Sequence, residues 1–314
     1  MPVGCFSWSK TRDEIFNACP RQYYFQYYAM TDKNMDQLRI KRLKGLTNLH
    51  LLAGEVVHDI CGSIVTKKNI LDPIDLIAKS KHVLLEAIKK SIFKSHEWLV
   101  NPKAFSMLHE VYYDSDFRSS TDITKRAYLF SKLSPAYNDI VDRMSTCITN
   151  LFASPTVKDL MTSNFEILEV EQLGTMQFDG VPVYIKPDLL YRQSNGNFVI
   201  VDWKTGKRNA GDEIQFKLYA LYAHCRYNIP LEDIRVRADY LLTNESIVSS
   251  VIEEEVSYLN SWISHSITNM KDFLRDKDQN IPLPAEFFQT NPGYNKCQLC
   301  KFKEICPEQK KRPA

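Results

Sequence analysis

An apolar strand that ends in charged residues is the feature that most constrains how this chain can fold. Residues 198–201 read Phe-Val-Ile-Val, and Asp202, Trp203 and Lys204 follow directly. A run that is apolar at every position is typical of a central strand buried on both faces. Because side chains two residues apart on a strand point to the same face, Asp202 and Lys204 project together. The fold must therefore place a carboxylate and an ammonium group at the end of a buried strand.

A second carboxylate, Asp188, precedes Asp202 by fourteen residues and ends the segment Ile185-Lys186-Pro187-Asp188. Buried charges without partners are costly, so these side chains need a compensating interaction. One solution is a divalent cation bridging Asp188 and Asp202, with Lys204 beside it. The other is an ordinary Asp–Lys ion pair at a strand end. The pattern alone favours neither.

The surrounding pattern is that of an α/β protein. Between the β-type runs, Asp179-Gly180 and Asn195-Gly196-Asn197 are turn signals, which indicates consecutive antiparallel strands. The predicted strands are 165–173, 181–185, 189–192, 198–203, 234–242 and 246–251. The predicted helices of this region are 212–225 and 256–274, and the chain before residue 165 is helical in pattern. The predicted architecture is an α/β core with a large helical insertion.

Four consecutive segments are predicted from these changes in pattern. Residues 1–65 are N-terminal helices, residues 66–164 a helical insertion, residues 165–280 the α/β core, and residues 281–314 a cysteine-containing C-terminal segment.

His58 lies on a predicted helix with the sequence Gly54-Glu-Val-Val-His58-Asp-Ile-Cys-Gly62. Gly54, His58 and Gly62 fall four residues apart, so one stripe of this helix is bare except for the imidazole. Such a stripe can approach another backbone closely, and histidine can complete a metal site. A single histidine on a helix is more often structural, so this feature gains weight only in combination.

Two further features have competing interpretations. Gln215, Tyr219 and Tyr222 share one face of the predicted helix 212–225, either as its polar side or as contacts to a substrate phosphate or base. Glu169 and Glu171 alternate with apolar residues on the strand that precedes the core. One of them is a candidate ligand for a second metal, but a solvated strand face is the favoured interpretation.

In combination, His58, Asp188, Asp202-x-Lys204 and Gln215-x3-Tyr219 resemble the PD-(D/E)XK nucleases of the RecB and AddB type. They also resemble the CRISPR-associated iron–sulfur exonucleases of the same superfamily. The resemblance covers essentially the whole sequence. Each motif alone is weak, but the ordered set is specific. The carboxylate of the third motif is Asp202 and not glutamate, and both forms occur in the superfamily.

This resemblance implies a restriction-endonuclease-like core, in which a mixed central sheet is flanked by helices. It implies Mg²⁺ or Mn²⁺ bound by His58, Asp188, Asp202 and the backbone carbonyl of Trp203, with Lys204 orienting the attacking water. Gln215 and Tyr219 are implied to position the DNA. Because imidazole is softer than the oxygen ligands that Mg²⁺ prefers, we expect activity with Mn²⁺ to be at least equal to that with Mg²⁺.

Three cysteines lie within ten residues near the C-terminus, in the pattern Cys297-x2-Cys300-x5-Cys306. In a chain with only eight cysteines this spacing indicates metal ligands before disulfides, and Cys19 is the chosen fourth ligand. Spacing alone leaves zinc and iron equally open. The context Cys19-Pro-Arg-Gln-Tyr-Tyr resembles the family segment that supplies the first ligand of a 4Fe–4S cluster. The resemblance therefore implies such a cluster, closing the N- and C-terminal segments.

Arg12, Arg21 and the tyrosines from Tyr23 to Tyr28 combine positive charge with stacking surfaces, which suits a single DNA strand. The competing interpretation is that this aromatic helix packs over the cluster and the core. For Tyr24 and Phe25 packing is favoured, whereas Arg21 is left undecided. Nothing in the sequence resembles a base-reading module.

The resemblance implies a metal-dependent exonuclease acting on single-stranded DNA or DNA ends. Repair, recombination, phage replication and CRISPR spacer processing all use this arrangement, so the pathway stays open. One alternative is a nuclease subunit that acts with a helicase or a CRISPR integrase, since no Walker-type loop is present. Another is a non-catalytic iron–sulfur or zinc DNA-binding protein. The intact motif set argues against the last.

Composition adds limits on the partners and the location. Forty basic and thirty-eight acidic residues give a net charge of +2, so DNA must be held by a local groove and not by bulk charge. No apolar run approaches the length of about 18 residues that a membrane span requires, and no charged head with an apolar signal core is found at Met1–Lys10. A cytoplasmic location without membrane attachment is expected.

Overall fold

A computed structural model of the chain describes residues 4–67, 72–114, 123–162 and 165–308. The chain divides into two compact units, each assembled from segments that are distant in the sequence. The first unit comprises Met1–Leu49, Leu84–Pro135 and Ser266–Ala314, and the second comprises His50–Val83 and Ala136–His265. The four consecutive segments derived from the sequence stay a prediction.

The helices and strands of the described residues are numbered here in chain order. The helices are α1 Lys10–Ala18, α2 Pro20–Tyr27, α3 Gln37–Lys44, α4 Leu49–Lys67, α5 Pro73–Phe93, α6 Ser95–Val100, α7 His109–Tyr112, α8 Ile123–Ala153, α9 Pro155–Thr162, α10 Gly211–Tyr227, α11 Glu253–Lys271 and α12 Tyr294–Leu299. The strands are β1 Leu46–Thr47, β2 Met107–Leu108, β3 Phe165–Val170, β4 Gly174–Phe178, β5 Val181–Ile185, β6 Leu189–Gln193, β7 Phe198–Lys204, β8 Ile234–Tyr240, β9 Glu245–Ser249, β10 Leu274–Asp276 and β11 Ile281–Pro282.

The second unit is built on a five-stranded sheet with the order β3-β6-β7-β8-β9. The pairs β3–β6, β6–β7 and β8–β9 are antiparallel, whereas β7 and β8 are parallel. A parallel pair needs a crossover connection, and α10 supplies it. The predicted mixed sheet flanked by helices is confirmed.

Strand β7 is the middle strand of this sheet, as the apolar run 198–201 predicts. Val199, Ile200, Val201 and Trp203 are all buried. The turn predicted at Asp179-Gly180 joins the antiparallel strands β4 and β5, and both of its residues have positive φ, 47° and 73°. Such left-handed pairs match the twist of a two-residue hairpin, which explains the Asp-Gly sequence.

One difference from the sequence prediction concerns the segment 165–173, which is not a single strand. Strand β3 ends at Val170, and a separate strand β4 begins at Gly174. The β4–β5 hairpin forms its own two-stranded sheet and contacts α10. This hairpin covers a face of α10 that the sequence pattern presented as polar.

The first unit joins the two ends of the chain through aromatic packing. The rings of Tyr24 and Phe288 have centroids 5.0 Å apart, and those of Phe25 and Phe302 are 5.5 Å apart. All four residues are buried. The packing interpretation of Tyr24 and Phe25 is therefore correct, and their rings are not free to stack on bases.

Among the residues that the structure describes, α4 is the one helix long and apolar enough to cross a membrane. It meets this criterion by its mean hydropathy, although charged residues interrupt its apolar sequence. The helix carries Glu55, His58 and Asp59, and a core helix of a soluble protein passes the same test. One such helix is weak evidence for a membrane location, and the observation is consistent with a soluble protein.

Candidate active site

Asp188 and Asp202 face each other at the end of the β6–β7 pair. Leu189 pairs with Val201 in the antiparallel register, so the next positions along the two strands are Asp188 and Asp202. Asp188 is 7% exposed and Asp202 is 3% exposed. The backbone N–H of Trp203 donates a hydrogen bond of 2.7 Å to Asp188 Oδ2. Strand pairing therefore brings together two acids that are separated in the sequence.

His58 approaches Asp188 from helix α4. Its Nδ1 lies 3.4 Å from Asp188 Oδ1 and 3.4 Å from Glu171 Oε1. Glu171 Oε2 in turn lies 2.5 Å from the ammonium group of Lys186. Burial lowers the pKa of His58, but the hydrogen bonds and charges of Asp188 and Glu171 outweigh it and raise that pKa to about 10. The imidazole thus lies in a strongly negative environment.

Lys204 and Asp202 form the second part of the site. The Lys204 Nζ lies 2.7 Å from Asp202 Oδ2 and donates a hydrogen bond of 2.7 Å to Gln215 Oε1. Burial, reinforced by the charge of Asp188, raises the pKa of Asp202 to about 6 although Lys204 acts in the opposite direction. Burial lowers the pKa of Lys204, but Asp202 more than compensates and the net shift is upward. Lys204 therefore carries its positive charge at neutral pH.

Tyr219 and Gln215, both on α10, hold Asp202 from the other side. The Tyr219 hydroxyl lies 3.1 Å from Asp202 Oδ1 and accepts a 2.6 Å hydrogen bond from Gln215 Nε2. Tyr219 is buried, and burial raises the pKa of its phenol. The structure thus places Tyr219 against the carboxylate, with its hydroxyl enclosed. Gln215 is half-buried in the same network.

The donor set fits a hard divalent cation. One ligand atom each from His58, Glu171 and Asp188 lie within 4.8 Å of one another, the one such group of three that the described part of the chain contains. Two carboxylate oxygens and one imidazole nitrogen are compatible with Mg²⁺ or Mn²⁺. The ligand set taken from the sequence has Asp202 and the Trp203 carbonyl in place of Glu171. The structure brings His58 and Asp188 together as expected and adds Glu171 to them.

The favoured expectation of a solvated face for Glu169 and Glu171 is wrong. Glu169 is 2% exposed and accepts hydrogen bonds from the hydroxyls of Tyr222 and Tyr227. Glu171 follows the end of β3 with a φ of 49°, a left-handed conformation that interrupts the strand alternation. Alternation along one continuous strand therefore could not predict where either side chain points. The signal available in the sequence was an acid pair next to a strand end.

Arg21 belongs to the first unit, where it is half-buried. Its Nε donates a hydrogen bond of 2.7 Å to the Phe288 carbonyl. The guanidinium group lies 6.0 Å from the centre of the Phe25 ring. Arg21 also lines the cavity that contains Cys19 and Cys300.

The four cysteines chosen as ligands line a single cavity of the first unit, with a volume of about 290 Å³. Cys19, Cys297, Cys300 and Cys306 are all half-buried free thiols. Burial raises the pKa of the Cys300 thiol to about 11, and it also raises the pKa of Cys306. Ligation of a metal by these thiols must therefore release protons. The cavity is roughly ten times the ~30 Å³ that one water molecule occupies.

A family model matches nearly the whole chain, across both units. The model of the PD-(D/E)XK nuclease superfamily matches residues 7–307. The chain belongs to the PD-(D/E)XK nuclease superfamily. Membership points to a nuclease, a hydrolase that depends on a metal ion, and nucleases of this superfamily use Mg²⁺ or Mn²⁺. A nuclease of this kind would act on DNA.

Comparison with curated proteins gives no match. Among solved structures, the crystal structure of SSO0001 aligns over 72% of this chain and 97% of that chain. The two sequences are 15% identical over the alignment, and the TM-score is 0.31.

Proposed function

We propose that this protein is a metal-dependent DNA exonuclease that favours single-stranded DNA or DNA with free ends. The observation that carries the proposal is the convergence of His58, Glu171 and Asp188 beside the Asp202–Lys204 ion pair. Superfamily membership supports the nuclease chemistry, and the resemblance of the motifs supports the preference for strand ends. The proposal places the protein in the cytoplasm, where thiols stay reduced.

The proposed metal ligands are His58, Glu171, Asp188 and Asp202, with the Trp203 carbonyl. Asp202 is retained because its carboxylate faces that of Asp188 across the strand pair. Two neighbouring carboxylates repel each other in a buried site, and a divalent cation removes this cost. Glu171 is included because its oxygen lies as close to His58 as that of Asp188 does.

The protein side chains have distinct parts in hydrolysis. These ligands would hold a divalent cation, which would supply polarisation of the scissile phosphate and a bound water molecule of lowered pKa. Lys204 places a fixed positive charge where it orients that water and offsets the negative charge that develops on the phosphate. Tyr219 and Gln215 keep Asp202 and Lys204 in place through their hydrogen bonds. We therefore propose a positioning role for Tyr219, and direct contact with DNA for Gln215 only at its exposed edge.

The second part of the proposal is a 4Fe–4S cluster bound by Cys19, Cys297, Cys300 and Cys306. The cavity that they share has room for a multinuclear group. A single zinc ion with four Zn–S bonds of about 2.3 Å needs sulfurs roughly 3.8 Å apart. The sulfurs of these described cysteines form no group of three within 4.8 Å. The resemblance of the Cys19 segment supports the cluster, with zinc as the alternative occupant, and we propose that Arg21 supports this segment and does not bind DNA.

Cleavage of end-labelled oligonucleotides tests the nuclease proposal. Wild-type protein and Asp202→Asn are incubated with single- and double-stranded DNA in Mn²⁺, in Mg²⁺ and in EDTA. We expect shortening of the single strand from its end, at least as fast in Mn²⁺ as in Mg²⁺, and no cleavage in EDTA. Asp202→Asn should lose at least about 100-fold in rate, the scale of removing a group that acts on the transition state. Equal cleavage by the variant, or cleavage in EDTA, contradicts the proposal.

A further inference from the structure

The second unit has a cavity directly beside the candidate active site. Its volume is about 200 Å³, and it is enclosed by α4, α8 and the residues that follow β7. Thr205 and Gly206, which line it, come immediately after Lys204. Gly54 lines it from α4, one helical turn before His58, which corresponds to about 6 Å along the helix axis. The cavity is therefore next to the residues that carry the proposed chemistry.

The lining of this cavity combines an apolar surface with basic groups. Leu51, Val57 and Met144 contribute apolar side chains, whereas His50 and Arg143 contribute nitrogen donors. No carboxylate occurs among the described residues around it. Such a mixture suits a nucleotide, because its base and sugar are largely apolar on their faces and its phosphate is an anion. The absence of acid makes a metal cation an unsuitable occupant.

Helix α4 comes close to the loop after Lys204 at Gly54. A Cβ atom on Gly54 would lie 3.4 Å from the Thr205 hydroxyl oxygen, at the short end of van der Waals contact. The Cys147 Sγ lies 3.9 Å from the Thr205 carbonyl oxygen, which fixes the loop from α8. The Thr205 side chain is only partly buried. It lies at the boundary between the cavity and Lys204.

We propose that this cavity is a binding subsite for the nucleotide adjacent to the scissile phosphodiester of a DNA strand. Arg143 binds the phosphate of that nucleotide, with His50 beside it, and the apolar wall receives its sugar or base. At 200 Å³ the cavity is smaller than the ~300 Å³ at which pockets for drug-sized ligands begin, so it accepts a single nucleotide unit. The inference rests on the proposed function, because it assigns the substrate strand to the His58–Asp188 site.

The test measures binding separately from cleavage. Affinity for a fluorescein-labelled oligothymidylate is measured in EDTA over a range of salt concentrations, so that no turnover occurs. Cleavage of the same oligonucleotide in Mn²⁺ then gives kcat and KM. The variants are Arg143→Ala and Leu51→Asp, since Arg143 and Leu51 are both exposed at the cavity wall. Thermal unfolding of every variant reports whether it is folded.

Matched controls carry the same changes elsewhere in the second unit. Arg192→Ala removes an exposed arginine of β6 that lies over the Phe198 ring. Phe198 begins β7 and is about 20 Å from Lys204 along that strand. Val248→Asp places a carboxylate at an exposed apolar position of β9. Neither residue lines the cavity.

We expect Arg143→Ala to weaken oligonucleotide binding about tenfold and to raise KM by a similar factor, with kcat within about twofold. The slope of log K against log salt should fall by about 0.7, the value for one phosphate contact on a single strand. Leu51→Asp should weaken binding in the same direction, and if it does not fold, Arg143→Ala alone decides.

Binding by Arg143→Ala equal to that of Arg192→Ala overturns the subsite, whether or not the protein cleaves DNA. If the wild type binds the oligonucleotide through Arg143 but cleaves nothing in Mn²⁺, the proposed function fails, and the cavity remains a nucleotide-binding site with no scissile bond beside it.

Discussion

Replacement of Glu171 by glutamine tests whether this residue belongs to the metal site. The change keeps the shape of the side chain and removes its charge. The ligand atoms of His58, Glu171 and Asp188 lie within 4.8 Å of one another, so a cation among them lies no more than about 4 Å from Glu171. At that separation the charge of Glu171 and a divalent cation attract each other by about 8 kcal/mol at an effective dielectric constant of 20. Because the Glu171 side chain is 24% exposed and the amide oxygen of glutamine can still ligate the cation, we take a quarter of this value, about 2 kcal/mol.

Two kcal/mol corresponds to roughly a 30-fold loss of metal affinity. Titration of DNA cleavage with Mn²⁺ should therefore show Glu171→Gln reaching half of its maximal rate at about 30-fold higher Mn²⁺ than the wild type. The rate at saturating Mn²⁺ should recover in large part. Glu166→Gln, an exposed residue on β3, is the control and should behave as the wild type. A half-saturation within about threefold of this control would refute the metal-binding role of Glu171.

Three further predictions concern the supports of the two sites. Cys300→Ala should lose iron and sulfide and lower the Tm by at least about 5 °C, because metal-binding energy is folding energy. The control Cys225→Ala, at an exposed free cysteine, should keep the iron, the sulfide and the Tm of the wild type. Unchanged colour and Tm in Cys300→Ala would contradict the cluster. Tyr219→Phe removes the hydroxyl that contacts Asp202. Denaturant unfolding should show a free energy of unfolding lower by about 1–3 kcal/mol, and cleavage assays a kcat lower by about tenfold. Unchanged values would refute the positioning role. Gly174→Ala would place a Cβ 1.9 Å from the Tyr222 hydroxyl oxygen and should lower the free energy of unfolding by about 1–3 kcal/mol or more. Combining it with Tyr222→Ala should recover part of that loss. If the effects of the two substitutions simply add, this contact is contradicted.

The sequence predicted the parts of the fold that depend on hydrophobic pattern and turn chemistry. Strand β7 was evident because residues 198–201 are apolar without interruption, and the Asp179-Gly180 hairpin was evident because few residues adopt positive φ. The pairing of Asp188 with Asp202 follows from the register of β6 and β7, which the turn at Asn195-Gly196-Asn197 constrains. These signals are local, and a single sequence is enough to detect them.

The parts that were missed depend on contacts between segments that are distant in the sequence. The polar face of α10 is buried because the β4–β5 hairpin packs on it, so Tyr219 meets Asp202 and not solvent. Glu171 turns toward His58 because its backbone is left-handed after β3 ends. Neither result can be obtained from periodicity, since both are set by where another element lies.

Calorimetric titration of Mn²⁺ into the wild type and Asp188→Asn tests the central claim most directly, because Asp188 contacts both His58 and the Trp203 backbone. The expected result is saturable Mn²⁺ binding by the wild type, and a loss of at least about tenfold in affinity in the variant with little change in Tm. Equal Mn²⁺ binding by both proteins would contradict the assignment of the His58–Glu171–Asp188 group as the metal site of this nuclease.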